Sequence, residues 1–253
     1  VILFFTTPHK TQKLVAIGSA TELVSVGVYN INVNGIGVFT NYNRMHTMIF
    51  STGCNLVGNI DDNAFGGNNV MMYYATLPQN SGGITIGNLA FYAVSNLKKI
   101  SIPAAKVLNG QCFNACSNLL EAYLPNVDTW ILNFQGCFKG CTNLEKITFG
   151  KVTSLPAGIS SGFFLLPNLN NIVFGAGVDI NLDIASWNPT NVLADVTKKA
   201  QMVANIKTGI ADMMKDNTGL TARTITFTSG IREAIRGSAA ESTLVAKNWN
   251  ISP

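Results

Sequence analysis

The sequence predicts an α/β solenoid, a stack of repeats of about 25 residues with one short strand each, closed by a C-terminal α/β cap. Three observations predict it. The phrase Cys112-Phe113-Asn114-Ala115-Cys116-Ser117-Asn118-Leu119 returns as Cys137-Phe138-Lys139-Gly140-Cys141-Thr142-Asn143-Leu144, shifted by 25 positions. A fixed shift of that size marks supersecondary units stacked on one another. Around this doubled phrase a strand pattern recurs, and the recurrence stops after Gly177.

The strand pattern is an apolar residue followed by apolar residues three and five positions on. It fits Leu23/Val26/Val28, Met45/Met48/Phe50, Met72/Ala75/Leu77, Leu97/Ile100/Ile102, Leu119/Ala122/Leu124, Leu144/Ile147/Phe149 and Leu169/Ile172/Phe174. Their starts are 22, 27, 25, 22, 25 and 25 residues apart. The last two positions of each share one face of a strand. Pro78, Pro103, Pro125, Gly150 and Gly175 follow the pattern and end the strand at one place in the repeat.

Six of the seven strand patterns are preceded by a small or apolar residue followed by Phe, at Phe39, Phe65, Phe91, Phe113, Phe138 and Phe163. The ring reads as a core plug on a short turn, and burying one is worth roughly 1.5–3 kcal/mol. Asn96, Asn118, Asn143 and Asn168 precede the strands, where Asn can bond neighbouring peptide groups. Ile60, Ile86, Leu108, Leu132 and Ile159 mark a second short strand or extended edge upstream of the Phe.

These residues resemble a known family. The pattern AF-x-x-C-x-x-L-x-x-I-x-I-P is similar to the BspA-like, Treponema-type leucine-rich repeat of bacterial surface proteins, over about residues 20–175. The resemblance implies a curved leucine-rich repeat solenoid on a secreted or surface-anchored protein, often implicated in adhesion, of Bacteroidetes type. It carries over no ligand. The expected organisation is an N-terminal edge segment at 1–19, the solenoid at 20–177 and the cap at 178–253. A solenoid exposes an apolar end, so a cap is physically required. In the cap, Thr190 or Asn191 is expected to start a helix whose stripe is Val196, Val203, Ile206, Ile210 and Met213. A strand at Thr224–Thr228, a short helix from Ser229 and a last strand at Trp249–Ile251 follow.

Composition narrows the function. Charged residues are 12% of the chain and the net charge is +4. No basic stripe is available to neutralise phosphates, so nucleic acid is not an expected partner. No apolar run reaches membrane-spanning length. The first residues, Val1–Phe5, read as an edge strand or the remnant of an upstream unit rather than a targeting signal.

Candidate chemistry gives way to the repeat. Four cysteines in two C-x3-C pairs suggest zinc, yet in their columns they alternate with Val, Ala, Gly and Leu, as buried thiols packing like small hydrophobes do. Cys54 makes the count odd, so complete pairing within the chain is impossible. Gly158-Ile159-Ser160-Ser161-Gly162 has the form of a hydrolase elbow, but His9 and His46 both lie upstream of it. Asp61-Asp62 precedes Ala64-Phe65 and fits a helix-start cap. No catalytic residue, metal or cofactor is expected, and the three tryptophans read as core.

What remains is a surface. The outward positions are Ser25/Gly27, Thr47/Ile49, Tyr74/Thr76, Lys99/Ser101, Glu121/Tyr123, Lys146/Thr148 and Asn171/Val173. Extended solenoid faces are used for binding, and Tyr is enriched at interfaces. The candidate binding residues are Tyr74, Lys99, Ser101, Glu121, Tyr123, Lys146 and Thr148. The expected function is a non-enzymatic, exported bacterial protein, at the cell surface or outside it, that binds a macromolecule or glycan in adhesion or recognition. The alternative is a structural subunit of a larger assembly, such as a phage tail or surface appendage.

Overall fold

A computed structural model describes residues 2–3, 29–32, 47–49, 54–57, 59–67, 72–77, 79, 82–130, 136–153 and 166–253. The pattern at Leu23–Val28, Phe39, Phe163, the elbow at 158–162, Leu132 and Ile159 lie outside the described residues.

The repeat pattern becomes two columns of parallel strands. In chain order the strands are β1 (Ile2–Leu3), β2 (Tyr29–Asn32), β3 (Thr47–Ile49), β4 (Cys54–Val57), β5 (Tyr74–Thr76), β6 (Ile84–Ile86), β7 (Lys99–Ser101), β8 (Ala105–Leu108), β9 (Glu121–Leu124), β10 (Thr129–Trp130), β11 (Lys146–Phe149) and β12 (Asn171–Val173). The first sheet has the order β1-β3-β5-β7-β9-β11-β12. Six of its strands stand where the apolar pattern puts them. The seventh, β1, pairs Ile2 with Thr47 and Leu3 with Met48 at the edge beside β3. The second apolar element forms its own sheet, β10-β8-β6, and Ile60 adds a parallel bridge to Ile86. β2 and β4 pair with each other.

Between the two columns lies the core. Phe65, Phe91, Phe113 and Phe138 stack face to face, with centroids 4.7, 5.3 and 5.2 Å apart. All four are fully buried. A second stack joins Phe149 to Phe174 at 5.9 Å, and Trp130 meets Phe149 edge-on at 5.3 Å. The plug turns hold their shape through left-handed residues in two columns. Asn63, Leu89, Gln111 and Gly136 form one, and Gly67, Ala93, Ala115 and Gly140 the other, all with positive φ. Only glycine takes that conformation freely.

Asparagine side chains tie one repeat to the next. Asn118 donates to Ser95 O at 2.9 Å, Asn143 to Ser117 O at 3.0 Å and Asn168 to Thr142 O at 2.8 Å. Asn191, expected as a helix cap, instead donates to Asn168 Oδ1 at 3.1 Å and extends this ladder. Asp62 likewise reaches across: its Oδ1 accepts the Asn88 amide at 2.6 Å.

After β12 the chain changes character. α1 (Thr190–Leu193) and α2 (Val196–Ile206) are separate helices, because Asp195 caps the second by accepting the Lys198 amide at 3.0 Å. Val196 is therefore a first-turn residue, 78% exposed, and not part of the apolar stripe. α2 runs into a π-helical turn at Lys207–Ala211. The extra residue in that turn shifts the stripe, so that Met214 is buried and Met213 only half-buried. The π turn lies against β12. The Phe174 amide donates to Gly209 O at 2.9 Å, and a Cβ at Gly209 would stand 2.3 Å from Ile172 O. Asn205 adds bonds to Asn170 O and Oδ1 at 3.1 and 3.2 Å. The outer edge of β12 is thus covered.

A further parallel sheet follows: β13 (Leu182–Asp183), β14 (Arg223–Thr226) and β15 (Trp249–Ser252). α3 (Ser229–Ile235) and α4 (Ala239–Ala246) lie between its last two strands. Thr228 and Ser238 cap them through their side chains. α4 was not foreseen from the sequence. Trp187 and Trp249 are buried, and their indole N–H groups donate to Leu169 O and Lys215 O, both at 2.9 Å.

Candidate interaction face

Alternation along the strands puts Ala75, Ile100, Ala122, Ile147 and Ile172 in the core and their neighbours outside. Parallel pairing then arranges the outward residues in two rows across the strands. One row runs Tyr74, Lys99, Glu121, Lys146, Asn171, and the other Thr76, Ser101, Tyr123, Thr148, Val173. All seven expected site residues therefore lie on one face in direct register.

Glu121 is the centre of the first row. Its carboxylate meets Lys99 Nζ at 3.2 Å through one oxygen and Lys146 Nζ at 3.4 Å through the other. Partial burial opposes its ionisation, but the hydrogen bonds and charges of the two lysines outweigh burial and hold its pKa below the ordinary value. The row carries two ammonium groups and one carboxylate. Lys99 is the more open, with 58% of its side chain exposed against 42% for Lys146.

Tyr74 and Tyr123 project from different rows, 44% and 43% exposed. Between them lies a cavity of about 430 Å³, lined by Tyr74, Ala75, Thr76, Lys99, Ile100, Ser101, Glu121 and Tyr123. Thr76 and Ser101 are short, and so leave this trough between longer neighbours. Thr76 belongs to it although the sequence reading placed it only in an outward column. Its signal was the small side chain flanked by Tyr74 in its own strand. Lys146 and Thr148 lie on the same face but outside the trough lining.

The four cysteines of the repeat have local packing roles. Cys112, Cys116, Cys137 and Cys141 are buried free thiols. Cys116 and Cys141 donate to Phe91 O at 3.0 Å and Phe113 O at 3.1 Å. Burial pushes the Cys112 and Cys141 thiols well above their ordinary pKa, which disfavours their thiolate form. Among the described residues no group of three or more His, Cys, Asp or Glu is placed to hold a metal ion. None of their helices is long and apolar enough to cross a membrane.

Parallel short strands, a Phe stack and an Asn ladder at one repeat length define a leucine-rich repeat protein. The chain belongs to the family described as BspA type leucine rich repeat region, whose model matches six copies over residues 58–184, half of the chain. No curated protein and no solved structure matches it. The family is typical of surface-associated bacterial proteins and suggests a repeat protein involved in protein interactions.

Proposed function

We propose that this chain is a non-enzymatic, exported bacterial repeat protein that binds a macromolecular partner through its strand face. In this reading residues 20–177 form a solenoid, 1–19 its N-terminal edge and 178–253 its cap. The observation that carries the reading is the registered row Tyr74, Lys99, Glu121, Lys146 beside Tyr123 on the outward face of the sheet. Tyrosine side chains, with two rotatable bonds each, offer large contact area and lose little order when a partner docks. The family's link to protein interactions favours a protein over a glycan, and the absence of a basic stripe in the sequence speaks against nucleic acid. The covered outer edge of β12 favours a discrete binder over an assembly subunit that stacks end to end at that edge.

The test replaces Tyr74, Lys99, Tyr123 and Lys146 together by Ala. Binding to immobilised surface proteins and glycans, read by surface plasmon resonance, should disappear while the melting temperature stays within about 3 °C of the parent, because exposed positions contribute little to stability. Binding retained by the quadruple variant overturns the site.

A further inference from the structure

The strand face has a charge arrangement that names its ligand more closely. Three charged side chains in one row share two contacts, both made by Glu121. One carboxylate serves two ammonium groups, so the row is left with an uncompensated positive charge. The trough is lined by Lys99 and its partner Glu121 but not by Lys146, and the short Thr76 and Ser101 lie in its lining. A group entering it meets the Lys99 ammonium held by Glu121, the hydroxyls of Thr76 and Ser101, and the two tyrosines.

We propose that the trough between Tyr74 and Tyr123 is a subsite for an acidic segment of a protein partner, whose Asp or Glu carboxylate takes Lys99 from Glu121. The proposal rests on the strand face being the binding surface. Charge complementarity selects the acidic side chain. The flat, exposed tyrosine rings select a peptide, whose backbone and methylene groups can lie along them. Lys99 and Lys146 stand two strand spacings apart, about 10 Å, so Glu121 passes wholly to Lys146 when Lys99 turns to the ligand. No charge is stranded in the exchange. Glu121 thereby acts as an internal competitor, occupying the cation until a stronger carboxylate array arrives.

The test uses the whole chain with fluorescein-labelled oligo-glutamate and oligo-glutamine peptides of equal length, read by anisotropy at low and physiological salt. Amide shifts of Thr76, Ser101 and Tyr123 locate the binding. Oligo-glutamate should bind at these residues and oligo-glutamine should not. Lys99→Met should weaken binding about tenfold or more. Lys139→Met, the same charge change on an exposed turn, should alter it by less than about twofold, since distant exposed charges are screened. Glu121→Gln should tighten binding, an outcome that a purely structural ion-pair row would not give.

Equal loss on Lys139→Met, or no loss on Lys99→Met, overturns the inference in favour of unspecific charge attraction. Tighter binding of a uronic-acid oligosaccharide at the same residues overturns it in favour of a glycan. If oligo-glutamine binds the face as well as oligo-glutamate does, the acidic subsite fails while the strand-face reading stands. If oligo-glutamate binds but shifts other residues instead, the subsite fails and the quadruple variant decides the face. Silence from both peptides overturns the subsite alone, and the quadruple variant then decides the face.

Discussion

The amide of Phe174 donates to the carbonyl of Gly209 at 2.9 Å, joining the last repeat strand to the π turn that follows α2. A strand edge left open is a template for pairing with another chain. Here a helical segment supplies the acceptor instead. The approach is close enough that a Cβ at residue 209 would collide with the carbonyl of Ile172. Gly209→Ala should therefore push the π turn off β12 and destabilise the chain by about 1–3 kcal/mol. Denaturant unfolding checks the loss, and light scattering should show new association through the uncovered edge.

The stacked rings should carry much of the cohesion between repeats. Phe113 touches a ring on both sides, at 5.3 and 5.2 Å. Phe113→Ala should cost about 3–5 kcal/mol. Because repeats communicate mainly with their neighbours, hydrogen exchange should quicken first in β7, β9 and the adjoining turns. A uniform change along the chain would contradict the nearest-neighbour picture.

The left-handed columns hold an opportunity for stabilisation. Ala93 and Ala115 adopt φ of 57° and 63°, where the equivalent positions carry Gly67 and Gly140. A non-glycine residue there costs roughly 1–2 kcal/mol, partly offset by the greater freedom glycine has when unfolded. Ala115→Gly should thus raise stability by about 0.5–1 kcal/mol. Gly140→Ala should do the reverse, and thermal melts of the two single variants check both signs.

Acid should loosen the C-terminal region through Asp179. Lys215 at 2.7 Å and Arg223 at 3.0 Å hold its pKa down to about 2, from an ordinary value of 3.8. A carboxyl depressed on folding stabilises the fold above its unfolded pKa. That contribution is lost as pH falls through the window from about 4 to about 2. Asp179→Asn should remove this part of the acid dependence and leave the neutral-pH side unchanged in slope. Melting curves across that window, followed by the fluorescence of the buried tryptophans, provide the check.

The repeat was legible because every strand has to meet the same neighbour in the same register. Ile100, Ala122, Ile147 and Ile172 are interchangeable in that role, and period alone reveals them. The cysteines could be read the same way, since a column that alternates Cys with Leu and Val asks for volume, not chemistry. The outward face followed from alternation, yet its trough did not: it arises from Thr76 and Ser101 being short beside two tyrosines in different strands. Beyond Gly177 no second copy exists to compare with, and local signals compete. Asp195 outranked Thr190 and Asn191 as the cap of α2. The π turn then shifted the apolar phase by one residue, which no fixed helical period anticipates. Asn191 shows the limit most clearly, since its partner is Asn168, in a repeat 23 residues upstream.

The constant register has a consequence for length. Residues 113–137 can be excised so that Cys112 runs directly into Phe138, and the junction reproduces the phrase found at either copy. Stability in such an array is close to a sum of units and junctions, so the spliced chain should fold with one storey fewer. Recognition is not modular in this way. The excision deletes Glu121 and Tyr123 and brings Lys99 directly opposite Lys146, like charges that cost roughly 0.2–1 kcal/mol across a pair of strands. Insertions and losses of whole units would therefore edit what the face recognises long before they threatened whether the chain folds.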